Sequence, residues 1–298
     1  PRLSSAACRL HDKITMRSLL STLRALALMS TLLTGVALAG PAVAGTPSKG
    51  LLHRAVAKVQ RLRAGIRARR LCRREVKRIG KEVHAGKKVC VVFDIDNTLV
   101  DTRHRTLGAA KAFATAHPKL LSAKKVRMGK VRYDGAQTAE ALKLPGAQRG
   151  AFATFWRSFF WNTKNFHLDK AIPQTTAWAH AAKRAGAEVY YLTGRIDALK
   201  DGSIRQLAAL GLPDADAAHV LCKPSVKVRT PDFKRQELKK LQRGKRVAWF
   251  VSDAASDLGA AKGLGIGCVL VEFPVGPGAH KEPTLPATTP RLRPTLAR

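Results

Sequence analysis

The sequence predicts an α/β protein with a doubly wound, mainly parallel sheet. Continuous apolar runs are typical of strands that are buried on both faces of such a sheet. Four of them lie at Val89–Phe93, Glu188–Leu192, Val247–Val251 and Cys268–Val271, and a shorter one at His219–Leu221. Helical segments separate these runs, and strands that alternate with helices form right-handed βαβ units. The predicted sheet domain spans residues 89–275.

Helices are predicted between the strands at Thr175–Ala185, Ile204–Leu210, Phe233–Leu241 and Asp257–Leu264. The stretch from about residue 100 to 170 has mixed helical character and interrupts the alternation, so it is predicted to be an insert that shapes access and specificity. The insert contains a cluster of aromatic residues, which we interpret as packing residues: Phe152, Phe155, Trp156, Phe159, Phe160 and Trp161.

The beginning of the chain is typical of an export signal. After Met16, two arginines precede the apolar stretch Ala25–Ala39, and Ala42–Ala44 supplies the small residues that a signal peptidase needs. This pattern predicts a signal peptide at 16–44 and a periplasmic or secreted protein. The rival interpretation is an uncleaved membrane anchor, although the apolar stretch is short for a span of about 20 residues.

The composition is strongly basic, with 54 Lys+Arg against 20 Asp+Glu and a formal net charge of +34. Such a surface attracts phosphates, nucleic acids and anionic membranes. The basic segment 45–88 is predicted to be helical from Leu51 to His84. Its apolar residues recur at helical spacing: Leu52, Ala55, Val56, Val59, Leu62 and Ile66. The helix either packs on its own domain or binds an anionic surface or nucleic acid, and its lack of aromatic residues argues against base stacking.

Four cysteines follow the predicted signal peptide, at positions 72, 90, 222 and 268. Export would permit disulfides, but Cys90 and Cys268 lie in strand-like runs, where a buried free thiol is expected. The sequence contains no Cys-x-x-Cys pair, so a zinc site built from cysteines is not expected. The tail at 276–298 is rich in Pro and Thr and is predicted to be disordered.

Acidic or hydroxyl residues follow three of the apolar runs. Asp94 and Asp96 come directly after the first run, Thr193 after the second, and Asp253 and Asp257 after the run that ends at residue 251. In an open α/β sheet, ligands bind beyond the carboxyl ends of the strands. One Asp-x-Asp pattern alone would be weak, whereas the ordered set predicts a site at this edge.

This ordered set resembles the four motifs of the haloacid dehalogenase (HAD) superfamily of phosphatases. The motifs are DIDNTL at Asp94, YYLTGR at Thr193, the lysine of TPDFKRQEL at Lys234, and VSDAASD with Asp253 and Asp257. The segment FW followed by LDKAIP is similar to the acid-phosphatase-like branch, subfamily III. The resemblance covers about residues 89–272.

The resemblance implies Mg²⁺-dependent hydrolysis of small phosphomonoesters. Asp94 would be the nucleophile that forms an aspartyl-phosphate, and Asp96 would be the general acid and then the general base. Thr193 would hold phosphoryl oxygens together with nearby backbone N–H groups, and Lys234 would neutralise charge. The residues implied to contact substrate are Thr193, Gly194, Arg195 and Lys234. The implied metal ligands are Asp94, the Asp96 carbonyl and Asp253, with Asp257 as a further ligand or a partner of the ligands.

Several alternatives remain open at this point. Lys223 competes with Lys234 for the third motif, although Thr230–Asp232 looks like a helix start with Thr230 as N-cap and Pro231 at N1, which would aim Lys234 at the site. Arg195 either touches substrate or is simply exposed. His167 and Asp169 either line the entrance of the site or have a surface role, and the surface role is favoured. Ser252 stands where the family usually has glycine, which puts the role of Asp257 in doubt.

Two rival functions also fit. The same aspartyl-phosphate could be passed to another alcohol, which would make the protein a phosphotransferase. Alternatively, a basic extracytoplasmic protein could bind nucleic acid or the cell envelope while its phosphatase site is idle. A dehalogenase is disfavoured, because that branch lacks the second aspartate that Asp96 supplies here.

Overall fold

The computed structural model describes residues 49–274 and 289–292, with side chains from Ile66 onward except that of Arg67. The chain divides into two units, Pro1–Val56 and Ala57–Arg298, and the following concerns the second. The predicted signal peptide lies outside the described residues. Among the helices of the described part, none is both long enough and apolar enough to cross a lipid bilayer.

A parallel six-stranded sheet forms the centre of the fold, in the order β5-β4-β1-β6-β7-β8. The predicted doubly wound α/β class is therefore confirmed. The bounds of its strands are β1 Val89–Phe93, β4 Glu188–Ile196, β5 Val220–Lys223, β6 Arg246–Ser252, β7 Gly267–Val271 and β8 Arg291–Leu292. A separate antiparallel pair joins β2 (Val100–Asp101) to β3 (Lys170–Ala171).

Eight α-helices occur in the described residues. Their bounds are α1 Lys49–His84, α2 Arg103–Ala116, α3 Gly135–Ala141, α4 Gly146–Phe160, α5 Pro173–Arg184, α6 Lys200–Ala209, α7 Thr230–Gln242 and α8 Ala255–Lys262. Short 3-10 turns lie at Ala123–Lys125, Met128–Lys130, Thr163–Leu168 and Asp197–Leu199. Each predicted helix is present, with ends that differ by a few residues.

Helices cover both faces of the sheet, because alternate residues of the buried strands point to opposite sides. Val91 of β1 packs in a core that includes residues of α1, α5 and α6. Val92 packs in a second core, with residues of α7 and α8. The insert between β2 and β3 has a small core of its own, built around Phe113 and Phe152. The interpretation of the insert aromatics as packing residues is confirmed for Phe152 and Phe160, whereas Trp161 is exposed.

The basic helix α1 packs on the sheet domain through Ala68, Cys72 and Ile79, which are buried in the same core as β1. Packing of the predicted stripe on the domain is wrong at Ile66, which is 41% exposed, and the side chains of the other stripe residues lie outside the described residues. Gly186 allows the close approach of α1: its φ is 91°, and a Cβ there would lie 2.7 Å from a methyl carbon of Val83.

The four cysteines after the predicted signal peptide are all free thiols; Cys90 is buried as expected, while Cys268 is only partly buried. The prediction of a wholly disordered tail is wrong at Arg291 and Leu292, which pair with Leu270 and Val271 of β7. Backbone hydrogen bonds to a sheet edge order this short segment despite its composition. The rest of the tail lies outside the described residues.

Candidate active site

The loop after β1 carries the Asp-x-Asp pattern at the carboxyl edge of the sheet. Asp94 follows β1, and its Oδ1 accepts the N–H of Ile95 at 2.8 Å. The chain then folds back, because the N–H groups of Leu99 and Val100 both donate to the Ile95 carbonyl. Asn97 has a φ of 56°, in the left-handed region that asparagine tolerates better than most residues. This turn holds the loop against the end of the sheet.

Lys234 is the lysine that reaches the predicted nucleophile. Its Nζ lies 3.0 Å from Asp94 Oδ1 and 2.5 Å from Asp257 Oδ2, and the residue is 1% exposed. Burial alone would lower the pKa of Lys234, but the two carboxylates raise it, so the ammonium stays charged. The rival Lys223 instead donates to the Val228 carbonyl at 3.1 Å. The geometry therefore favours Lys234 as the third-motif lysine.

Lys234 lies in the first turns of α7, as the sequence predicts, although the helix begins one residue earlier. The N-cap is Arg229, and Pro231 therefore takes the second helical position. Gly194, at the end of β4, lets this helix start come close: a Cβ on Gly194 would lie 3.0 Å from the Thr230 methyl carbon.

Ser252 takes up the space that a glycine would leave empty in the fourth motif. Its hydroxyl donates to Asp257 Oδ2 at 3.0 Å and accepts the N–H of Ala254 at 3.2 Å. The serine therefore tightens the loop after β6. Because Asp257 Oδ2 is shared between Ser252 and Lys234, Asp257 serves here as the counterion of the lysine. Its metal-ligand role stays a prediction.

Asp253 lies beside Asp94 across neighbouring strand ends. The Asp94 N–H donates to the Val251 carbonyl at 2.8 Å, and the Asp253 N–H donates to Thr98 Oγ1 at 3.0 Å. In the described part of the chain, the Asp253 carboxylate has no direct ion pair or side-chain hydrogen bond. Burial, and then the negative charge of Asp94, raises the pKa of Asp253 well above its usual range, and the charge of Lys234 offsets this only in part. The site thus holds a buried carboxylate without a direct counterion.

Asp96 is held by two arginines. Arg195 donates from Nε to Asp96 Oδ2 at 2.9 Å and from Nη2 to Oδ1 at 2.8 Å, and Arg105 Nη2 reaches Oδ1 at 2.7 Å. Although burial favours the neutral acid, the two guanidiniums lower the pKa of Asp96 well below its usual range. The alternative that Arg195 is simply exposed is wrong, because it is 1% exposed.

Thr193 lies near the end of β4 and is 1% exposed, and its hydroxyl accepts the N–H of Arg195 at 3.3 Å. Residues from β1, β4, β6 and α7 thus meet at one edge of the sheet. The family model for haloacid dehalogenase-like hydrolases matches residues 89–265.

The chain belongs to the haloacid dehalogenase-like hydrolases.

Comparison with solved structures gave matches at low sequence identity. Similar structures include a subfamily IA HAD-superfamily hydrolase from Geobacter sulfurreducens (18% identity, TM-score 0.45, 63% of this chain and 88% of that chain). A HAD-like family hydrolase from Streptococcus pneumoniae is 18% identical (TM-score 0.44, 64% and 88%). The class C acid phosphatase from Bacillus anthracis is 17% identical (TM-score 0.38, 66% and 70%). A comparison with curated proteins found no match.

The donor set of this HAD-like hydrolase fits a hard divalent cation. Within the described residues, no three His, Cys, Asp or Glu side chains converge as a metal-binding group. The set that the resemblance implies needs only the carboxylates of Asp94 and Asp253 and the main-chain carbonyl of Asp96, all oxygen donors of the kind that Mg²⁺ prefers. The observation that favours a cation here is that the buried Asp253 carboxylate has no direct ion pair among the described residues.

The insert of the HAD fold reaches the acidic edge. Burial, and then the negative charges of Asp253 and Asp94, raises the pKa of the Tyr133 hydroxyl. Tyr133 belongs to the insert, between the second 3-10 turn and α3. The charges of these carboxylates thus act on a residue of the insert, and the role of the insert in access to the site stays a prediction.

Among the residues of the insert and its neighbours, one differs from the sequence expectation, one agrees with it, and one was not predicted. Asp169 is 2% exposed, so a surface role is wrong for it, whereas His167 is exposed as expected. Arg105 was not singled out by any motif. One signal was available, since Arg105, Ala109 and Phe113 recur every fourth residue on the buried face of α2.

Proposed function

We propose that this HAD-like hydrolase is an exported, Mg²⁺-dependent phosphatase of small phosphomonoesters that acts through an aspartyl-phosphate on Asp94. The main support is the contact of Asp94 with a buried, charged Lys234, beside the Asp253 carboxylate, which has no direct ion pair among the described residues. Export rests on the signal-like segment at 16–44.

In the first step, an Asp94 carboxylate oxygen attacks phosphorus, and the bond from phosphorus to the leaving oxygen breaks with its electron pair. Lys234 offsets negative charge on Asp94 and on the phosphoryl group, and the Thr193 hydroxyl donates a hydrogen bond to a phosphoryl oxygen. The leaving oxygen takes its proton from Asp96 when that residue is protonated. Arg195 and Arg105 lower the pKa of Asp96, and the negative charge of a bound phosphate opposes this, because a nearby anion raises the pKa of a carboxyl group.

In the second step, water attacks the phosphorus of the aspartyl-phosphate. The bond to Asp94 breaks, its electron pair returns to the carboxylate, and a proton of the water passes to Asp96. Inorganic phosphate leaves. This step needs Asp96 ionised, which is the state that Arg195 and Arg105 favour.

Mg²⁺, held by the Asp94 and Asp253 carboxylates and the Asp96 carbonyl, would neutralise the anionic nucleophile and substrate. We expect turnover of p-nitrophenyl phosphate to stop in EDTA and to return with Mg²⁺. Asp253→Asn should raise the Mg²⁺ concentration for half-maximal activity by about 10-fold or more, since it removes one charged ligand.

The measurement is a Mg²⁺ titration of phosphate release. Asp232→Asn, a change of an exposed carboxylate in the same protein, is the matched control and should behave as wild type. Equal activity in EDTA and in Mg²⁺ would refute the metal dependence.

A second candidate function is the binding of an anionic polymer such as nucleic acid through α1. The exposed face of the described part of α1 carries cations that have no ion pair among the described residues: Arg69, Arg70, Arg73, Arg74, Lys77 and Lys81. Each phosphate neutralised by such a cation releases counterions, so binding must weaken steeply with salt.

This candidate predicts that a variant with Arg70, Arg73 and Arg74 changed to glutamine elutes from immobilised DNA at lower salt than wild type. Its turnover of p-nitrophenyl phosphate should be unchanged. Identical elution of the two proteins would count against a role of α1 in binding. The phosphotransferase alternative is tested in the same preparations by adding an acceptor alcohol and looking for its phosphorylated product.

A further inference from the structure

The two arginines that hold Asp96 belong to a closed ring of hydrogen-bonded side chains. Arg105 contacts Asp169 through Nε at 3.1 Å and through Nη2 at 2.8 Å. Gln206 donates to Asp169 Oδ2 at 2.8 Å and accepts from Arg195 Nη1 at 2.8 Å. Arg195 returns to Asp96, which completes the ring.

The ring is charge-balanced and almost completely enclosed. Its two guanidiniums face two carboxylates. The phenyl group of Phe166 lies against both arginines, with its centroid 4.5 Å from Arg105 Cζ and 4.3 Å from Arg195 Cζ. Arg105, Arg195 and Asp169 are at most 2% exposed. Asp96 is the more exposed of the two carboxylates, with 21% of its side chain accessible to solvent. A buried ionic ring thus presents one carboxylate to the site.

Stability alone gives a weak reason for such a ring. Buried ion pairs contribute little net stability, since apolar residues of similar volume are often as stable or more so. The hydrogen bonds have a second consequence. Three N–H groups reach Asp96, and a carboxylate has about four acceptor positions. Among the described residues, the remaining position, on Oδ2, has no donor.

We propose that Arg105 and Asp169 are positioning residues for Asp96. Together with Arg195 and Gln206 they hold the Asp96 carboxylate in one orientation, in which its open acceptor position on Oδ2 receives the proton of the water that splits the aspartyl-phosphate. This inference rests on the proposed function. It makes the insert part of the catalytic apparatus, because Arg105 lies in α2 and Asp169 immediately precedes β3.

The test removes the Arg105–Asp169 pair together, as Arg105→Met with Asp169→Leu, so that the remaining Arg195 and Asp96 still balance in charge. The matched control is Arg103→Met with Asp101→Leu, which removes a neighbouring ion pair with a 2.6 Å contact that lies outside the ring. Rapid mixing with p-nitrophenyl phosphate separates release of the first product from later turnover, and acid quenching traps the phosphoenzyme.

In the ring variant, we expect the initial burst of p-nitrophenol to keep its rate within about twofold. Steady-state turnover should fall at least about tenfold, a part of the 10²–10⁴ that a positioned acid or base contributes. The phosphoenzyme should accumulate, and the control should behave as wild type. A burst and steady state that fall by the same factor, or that both stay at wild-type values, would overturn the proposal.

A crystal structure of the ring variant supplies a readout that does not depend on turnover. The Asp96 side chain should leave its wild-type position or occupy more than one. An Asp96 that keeps its position and its contacts with Arg195 would overturn the positioning role. If the wild-type protein hydrolyses no phosphoester, the proposed function fails. The crystal structure of the ring variant then decides by itself whether Arg105 and Asp169 position Asp96.

Discussion

Replacing Asp94 by asparagine is expected to abolish turnover of p-nitrophenyl phosphate and to leave the protein folded. Loss of a nucleophile costs other enzymes about 10⁴–10⁶-fold in kcat. The fold should survive, because Lys234 keeps its contact with Asp257 and the amide can still accept the N–H of Ile95. The measurement is phosphate release at saturating Mg²⁺, together with acid trapping of phosphoenzyme, which should be absent.

Asp101→Asn is the control for this experiment, since Asp101 is also a buried carboxylate, pairs with Arg103 and lies outside the proposed machinery. A variant at Asp94 that retains more than a few per cent of wild-type activity would show that another group is the nucleophile. Retention on DNA should be the same in Asp94→Asn and in wild type, because α1 is unchanged.

Replacing Lys234 by methionine is expected to affect both stability and turnover. The change leaves Asp94 and Asp257 buried without their shared cation, and removing one partner of a buried ion pair typically costs about 3–5 kcal/mol. Turnover should fall by about 10²–10³-fold, the effect of losing one group that stabilises charge in the transition state. Urea unfolding in EDTA measures the free energy of unfolding, and phosphate release measures turnover.

The double change of Lys234→Met with Asp257→Leu separates the two effects. It removes one of the two carboxylates left without a cation, so part of the lost stability should return, whereas turnover should remain low. Recovery of turnover in the double variant would contradict a direct role of the lysine. A single variant as stable as wild type would mean that the 3.0 Å and 2.5 Å contacts of Lys234 contribute little in solution.

The sheet and the edge that carries the site could be predicted because their signals are local. A continuous apolar run such as Val89–Phe93 specifies a buried strand, and the polar residues that follow it must lie at its carboxyl end. The helix start at Thr230–Asp232 then favoured Lys234 over Lys223, and the contact with Asp94 supports that choice.

The ionic ring could not be predicted, because its pairings join distant parts of the chain. Arg105 and Asp169 are 64 residues apart. A lone charged residue is usually solvated, and it is buried only when a partner compensates its charge. The sequence around Asp169 contains no pattern that identifies such a partner. The same reasoning explains why Arg195 could be expected at the surface although its guanidinium is enclosed by Asp96, Ser203 and Gln206.

The short strand β8 has a consequence for how this protein must be handled. The Leu270 N–H donates to the Pro290 carbonyl, and the Glu272 N–H donates to the Leu292 carbonyl, so these few residues shield the flank of β7 from other molecules. Unshielded flanks recruit strands from neighbouring copies. Proteolytic loss of residues 289–292 is therefore expected to cause aggregation of the protein, even though every residue of the site is still intact.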